Sequence, residues 1–206
     1  MYIGYIWLDY HLQTNELHQL AIPEARIPEV KVMPLIRIQP FRGMSQNEVE
    51  YVFKEIKKFY SKTTLLPPIE MPKQAYYKPR SRYRADSIIA WLSRQTPEYS
   101  VVIGLTSKDI STTKDKIIDW GVMGLGYQPG NACVTSTFRL NKANLLDQLF
   151  KVSVHELGHT QGLPHCPNKN CYMQDAEGGN PTDSETGFCA ECTKKLEEKG
   201  WDFSSK

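Results

Sequence analysis

Between Val154 and Met173 the chain reads VHELGHTQGLPHCPNKNCYM, three histidines, one glutamate and two cysteines within twenty residues. His155 and His159 are four apart. On a helix they share one face, and their imidazoles can aim at a common point about 2.1 Å from each nitrogen, the usual zinc distance. Glu156 stands beside the first of them and is not required to coordinate, so it can hold a proton for a zinc-bound water, as in the HExxH arrangement. Gly162 tolerates a left-handed backbone and Pro164 turns Leu163 away from helical angles, so the helix stops there and the chain can return with His165. HExxHxxGxxH therefore offers three nitrogens and an open fourth position, the mark of a catalytic zinc. Two histidines alone could merely satisfy a polar helix face; the glycine and third histidine at fixed offsets argue against that.

The cysteines form a second group. Cys166 follows His165 directly, Cys171 lies five further on, and FCAEC adds Cys189 and Cys192 as a CxxC pair. Two close pairs joined by a short loop fit a tetrahedral four-thiolate zinc. Such a closed site leaves no place for substrate and would pin a tail with few apolar residues. Two disulfides would need an oxidising compartment that the N-terminus does not announce, and a redox CxxC would want a βαβ context. Cys133, in a strand-like alternation, reads as a small buried hydrophobe. The expectation is two zinc ions per chain, one catalytic and one structural.

These groups need a frame. A chain of 206 residues, 40% hydrophobic and 23% charged, has the composition of a soluble globular protein with one domain of one or two lobes. A net charge of +2 gives no reason to expect nucleic acid or an anionic membrane as partner. No run reaches transmembrane length, and MYIGYIWLDYHLQ carries Asp9 with no basic flank or cleavage site, so a cytoplasmic protein is expected.

VKVMPLIRIQPF alternates as a strand does, with Pro34 implying an edge position or an irregularity. SQNEVEYVFKEIKKFY starts with a capping box, Ser45 and Glu48, and continues as an amphipathic helix. Thr63 to Lys78 reads as irregular, RADSIIAWLSR as a helix and YSVVIGLT as a buried strand. WGVMGLGYQPGNACVTSTFRL predicts two strands joined at QPGN, and NLLDQLFKVSVHELGHT is the long helix that carries the first two histidines. After Gly162 only AECTKKLEEKG is helical. This order predicts an α+β or three-layer α/β domain. The glycines of GVMGLGYQPG either let a peptide backbone approach a sheet edge or mark bulges or a loop. KPRSRYR reads as a solvated basic loop capping the Asp86 helix rather than a nucleic-acid patch. Trp7, Trp91, Trp120 and Trp201 read as core anchors, His11 and His18 as surface residues.

The pattern HExxHxxGxxHC, then four residues, Cys, one residue and Met, with a later CxxC, resembles the archaemetzincins, a zinc-dependent subgroup of the metzincin metallopeptidases. His155, Glu156, His159, Gly162, His165, Cys166, Cys171, Met173, Cys189 and Cys192 fill it with none missing. The resemblance runs from about Val30 to the end, which leaves residues 1–29 as an N-terminal extension and 30–206 as the catalytic domain. It implies a zincin-like α+β fold of three-layer α/β/α type with a mixed sheet, an upper lobe to about residue 162, and an irregular, zinc-stabilised lower lobe over 163–206. It also implies a catalytic zinc on the three histidines, Glu156 as general base and then acid, a second zinc on the four cysteines, and Met173 as the Met-turn residue packing beneath the site. No tyrosine lies two residues after Met173, so the extra tyrosine ligand of some metzincins has no candidate, and Tyr172 is assigned to packing. The function expected is a zinc metallopeptidase, monomeric, acting on peptides or proteins. The rival is a zinc-stabilised peptide-binding module, against which the presence of Glu156 argues.

Overall fold

The computed structural model describes residues 33–204. Trp7, His11, His18 and the 1–29 extension lie outside them. Strands β1 (Leu35–Pro40), β2 (Thr63–Leu65), β5 (Ser100–Thr106), β8 (Gly124–Gly126) and β9 (Ala132–Ser136) form one sheet in the order β2-β1-β5-β9-β8. All neighbours are parallel except β8, which runs antiparallel to β9 at one edge.

Both faces of this sheet are covered. Ile36, Ile38, Ile103, Leu105 and Cys133 pack with helices α1 (Gln46–Phe59) and α3 (Leu145–Thr160), while Val102, Ala132 and Val134 pack on the other side with Ile88, Ile89 and Leu92 of α2 (Ala85–Gln95). Burial on both faces is why YSVVIGLT is apolar without alternation, and the three-layer α/β/α arrangement is the one expected. The Ser45 backbone N–H donates to the Glu48 carboxylate at the start of α1, as the capping box requires. The tail places its few apolar side chains in the same core: Leu196 of α4 (Ala190–Glu197) and Trp201 are buried there, the latter against Tyr60.

Some expectations are corrected. Pro34 does not put β1 at an edge; the strand begins one residue later and lies between β2 and β5, so the missing N–H falls outside the ladder. The Pro34 carbonyl instead accepts the Tyr60 hydroxyl at 2.7 Å. Thr63 to Lys78 is not wholly irregular, since it contains β2 and β3 (Tyr76–Tyr77). WGVMGLG is divided between sheets: β7 (Ile117–Val122) ends a second sheet of order β3-β4-β6-β7, with β4 (Arg82–Arg84) and β6 (Ile110–Lys114), and β8 starts after Met123.

The arginines of KPRSRYR serve that second sheet. Arg82 pairs with Asp109 at 3.0 Å and Asp119 at 3.3 Å, all three side chains being about nine-tenths buried. Arg139 holds Asp109 from the other side at 2.8 Å, and Arg84 pairs with Asp86 at the start of α2. Removing one partner of a buried ion pair strands the other, which costs about 3–5 kcal/mol. Arg82→Ala is therefore expected to lower unfolding free energy by about 3 kcal/mol. Chemical denaturation checks it, and a midpoint equal to that of the parent would show the cluster to be solvent-screened.

Candidate active site and metal centres

Helix α3 is buried along most of its length, with Leu149, Val154 and Leu157 in the core, so His155 and His159 project from a rigid support. Its end has the form expected. Gly162 adopts φ +89°, its N–H donates to His159 O at 2.8 Å, and Leu163 N–H reaches back to Gly158 O at 3.0 Å. The same turn delivers the Leu163 carbonyl to His159 Nδ1, 2.8 Å away. His155 Nδ1 lies 2.6 Å from the Tyr172 carbonyl, and His165 Nδ1 lies 3.3 Å from Asp175 Oδ2. A nitrogen facing a carbonyl or carboxylate oxygen must be the one that carries the proton, which leaves each Nε2 as a bare lone pair.

One nitrogen from each of the three rings lies within 4.8 Å of the others, and the Nε2 atoms of His155 and His159 are 3.0 Å apart. Two lone pairs at that separation repel unless a cation lies between them, and tetrahedral zinc would set such nitrogens about 3.4 Å apart. The donor set therefore fits zinc. Burial and the neighbouring His159 pull His155 down to about 3, and burial lowers His159 as well, so both rings are held neutral, as ligands must be.

Glu156 is buried in the cleft of about 470 Å³ that the histidines line. Burial pushes its carboxyl up to about 8; positive charge in the histidine site would favour the carboxylate. The glycines of β8 are explained here. A Cβ on Gly124 would come within 2.5 Å of Glu156 Oε1, and one on Gly126 within 2.8 Å of the Glu156 carbonyl. β8 pairs regularly with β9 across all three of its residues, so the glycines mark no bulge. The close approach they permit is that of α3 and its glutamate to the strand.

Beneath the histidines Met173 is fully buried against Gly158, where a Cβ would meet its sulfur at 2.4 Å. Cys166 N–H donates to Met173 O at 2.7 Å, which ties this segment to the one that ends in His165. The sulfurs of Cys166, Cys171, Cys189 and Cys192 lie within 4.8 Å of one another. The Cys166–Cys189 separation is 3.7 Å, far too long for a disulfide of about 2.05 Å but close to the roughly 3.8 Å edge of a zinc tetrathiolate. Cys171 Sγ accepts the N–H groups of Met173 and Cys189, at 3.5 and 3.3 Å. Burial pushes the Cys171 and Cys192 thiols up, so thiolates there need a cation. Cys133 is a fully buried hydrophobe and Tyr172 packs edge-on to Phe150 and Phe188, both as expected.

Trp120 departs from expectation. Trp201 is a core residue and Trp91 packs on Phe41, but Trp120 is half-buried and lines the cleft, with the Lys114 ammonium 5.3 Å above its ring and Gly178 beside it. Asp175 was not singled out in the sequence, although it occupies the position two residues after Met173 that was searched for a tyrosine. Its carboxylate faces the third histidine, the one most exposed to solvent. Loss of such an outer partner weakens metal binding by about 10- to 100-fold. Asp175→Ala is expected to fall in that range in a competition titration with a chelator, and unaltered affinity would show that Asp175 does not position His165.

Residues 41–198 match the family model for Peptidase family M54. An archaemetzincin of Methanopyrus kandleri is 35% identical over 132 residues, covering 62% of this chain and 73% of that protein. One of Archaeoglobus fulgidus is 31% identical over 166 residues, covering 78% and 98%. The crystal structure of the Methanopyrus kandleri archaemetzincin is similar with a TM-score of 0.70 at 27% identity, covering 84% of this chain and 98% of that one. That of the Archaeoglobus fulgidus archaemetzincin complexed with malonate gives 0.66 at 30% identity, covering 78% and 98%. With motif, fold and relatives in agreement, the chain belongs to Peptidase family M54, the archaemetzincins, and is a zinc metallopeptidase.

Proposed function

We propose that the cleft hydrolyses peptide bonds with Glu156 as the proton carrier and with His155, His159 and His165 holding the catalytic zinc. The observation that carries this reading is the convergence of three imidazoles, each with Nδ1 facing a carbonyl or carboxylate oxygen, beside a buried carboxyl in one cleft. Zinc bound there supplies a Lewis acid that polarises the scissile carbonyl and acidifies water. Glu156 accepts a proton from the attacking water and passes it to the leaving amine nitrogen, which places the same carboxyl on both sides of the cleaved bond in turn. Glycines at 124 and 126 keep the inner face of β8 clear for that carboxyl. The free edge of β8 receives an extended peptide through backbone hydrogen bonds.

In the same reading Cys166, Cys171, Cys189 and Cys192 hold a second, structural zinc, and Met173 is the Met-turn residue. Residues from 163 onward form a lower lobe beneath an upper lobe that ends with α3. The thiolate-held ion fixes the segment that delivers the third histidine, since Cys166 adjoins His165 and is bonded to Met173.

Replacing Glu156 with Ala is expected to keep zinc content and melting temperature while peptide cleavage falls by about 10²- to 10⁴-fold. Cleavage at the parent rate would remove Glu156 from the mechanism. Metal analysis of purified protein is expected to give two zinc ions per chain, and Cys189→Ser with Cys192→Ser to give one together with a lower melting temperature. A single zinc in the parent protein would sink the second site.

A further inference from the structure

Beyond His155 the cleft follows α3 to Lys151 and Val152, where Pro181, Thr182 and Glu185 of the tail line it. Glu185 is 4% exposed and belongs to neither metal centre. Its backbone N–H donates to Thr182 O, but among the described residues its carboxylate accepts no hydrogen bond and forms no ion pair. The polar neighbours are committed elsewhere. The Lys151 ammonium donates to Asp147 at 2.7 Å and to Thr182 O at 2.9 Å, and the Thr182 hydroxyl donates to Asn180 Oδ1 at 2.6 Å. Lys151 is near enough to draw the Glu185 carboxyl downward, yet burial and Asp147 push the other way and hold it up at about 7. With Lys151 matched by Asp147, Glu185 is an acid without a counterpart at the wall of a reaction cleft. Such a group is costly to keep unless something brings it a donor.

We propose that Glu185 selects substrates carrying a basic residue, lysine or arginine, beside the scissile bond, by accepting a charge-assisted hydrogen bond from that side chain. Val152 and Pro181 would take the side chain's aliphatic stem, and the ammonium or guanidinium would reach the carboxylate at its end. A glutamate or aspartate in the same place would put two carboxylates together and be rejected. The inference rests on the peptidase reading above and assigns that site its preference.

The test uses the full-length, zinc-loaded chain with Glu156→Ala, which holds peptides without cleaving them. Fluorescent octapeptides, acetylated and amidated so that only side-chain charge differs, carry lysine or norleucine at each position in turn. Lysine is expected to bind about tenfold more tightly than norleucine at one position, the scale of a hydrogen bond to a charged group. Adding Glu185→Gln, with zinc content and melting temperature retained, is expected to erase that difference, and Glu185→Asp to keep part of it. If no position favours lysine, or if the preference survives in Glu185→Gln, the assignment is wrong. Turnover of the same peptides by the parent protein separates the two readings. Lysine-selective binding without any cleavage would overturn hydrolysis alone, and cleavage indifferent to lysine would overturn only the role of Glu185.

Discussion

Three imidazoles can offer the same nitrogen to one point only if the other nitrogen of each has an oxygen to donate to, and much of this molecule is arranged around that demand. Two of the oxygens are backbone carbonyls, Leu163 and Tyr172, so the path of the chain, not just its side chains, is constrained. Leu163 is brought back to His159 because the helix ends on a left-handed glycine. Tyr172 passes under His155 because Met173 is lodged against Gly158. A helix register, a turn and a buried methionine thus answer one electrostatic requirement.

The support on the two sides of the site differs in kind. α3 is held by the sheet and by α1 through apolar packing, which is non-directional and strong in aggregate. The tail has short helical pieces and long irregular stretches, and what fixes it is point contacts: Cys166 N–H on Met173 O, Asp202 N–H on Phe59 O, the sulfur cluster, and a few aromatics in the shared core. Loops of that length hold one shape only when such contacts close them. His165, the most exposed of the three rings, comes from this side.

What could be read beforehand was what local spacing encodes. The four-residue separation of His155 and His159, the stop at Gly162, the Ser45 capping box and the unbroken apolar run of β5 each follow from interactions within one element or turn. Pairings between distant segments were not legible. Pro34 was read as marking an edge position or an irregularity because the chain does not announce that its strand starts one residue later, between two others. The glycines of β8 drew two competing readings because their reason, the close approach of Glu156, lies thirty or more residues away. Asp175 and Glu185 owe their places to the fold of the tail, and Trp120 to the second sheet, at the same cleft, and no periodicity marks them. The role of Met173 came from family likeness, and its packing against Gly158 now supplies the physical reason for it.

The bareness of β8 has one more consequence. Sheet edges in soluble proteins are ordinarily guarded against pairing with a stray chain by charge, proline, bulges or bulk. With glycine at its first and last positions this edge has only Leu125 between them, and that side chain packs on the far side of the sheet. The guard has to come from elsewhere, and Trp120 on β7 together with the segment around Gly178 stands at the same cleft. An opening that admits one extended peptide is, by the same backbone chemistry, an opening that must be kept narrow against self-association.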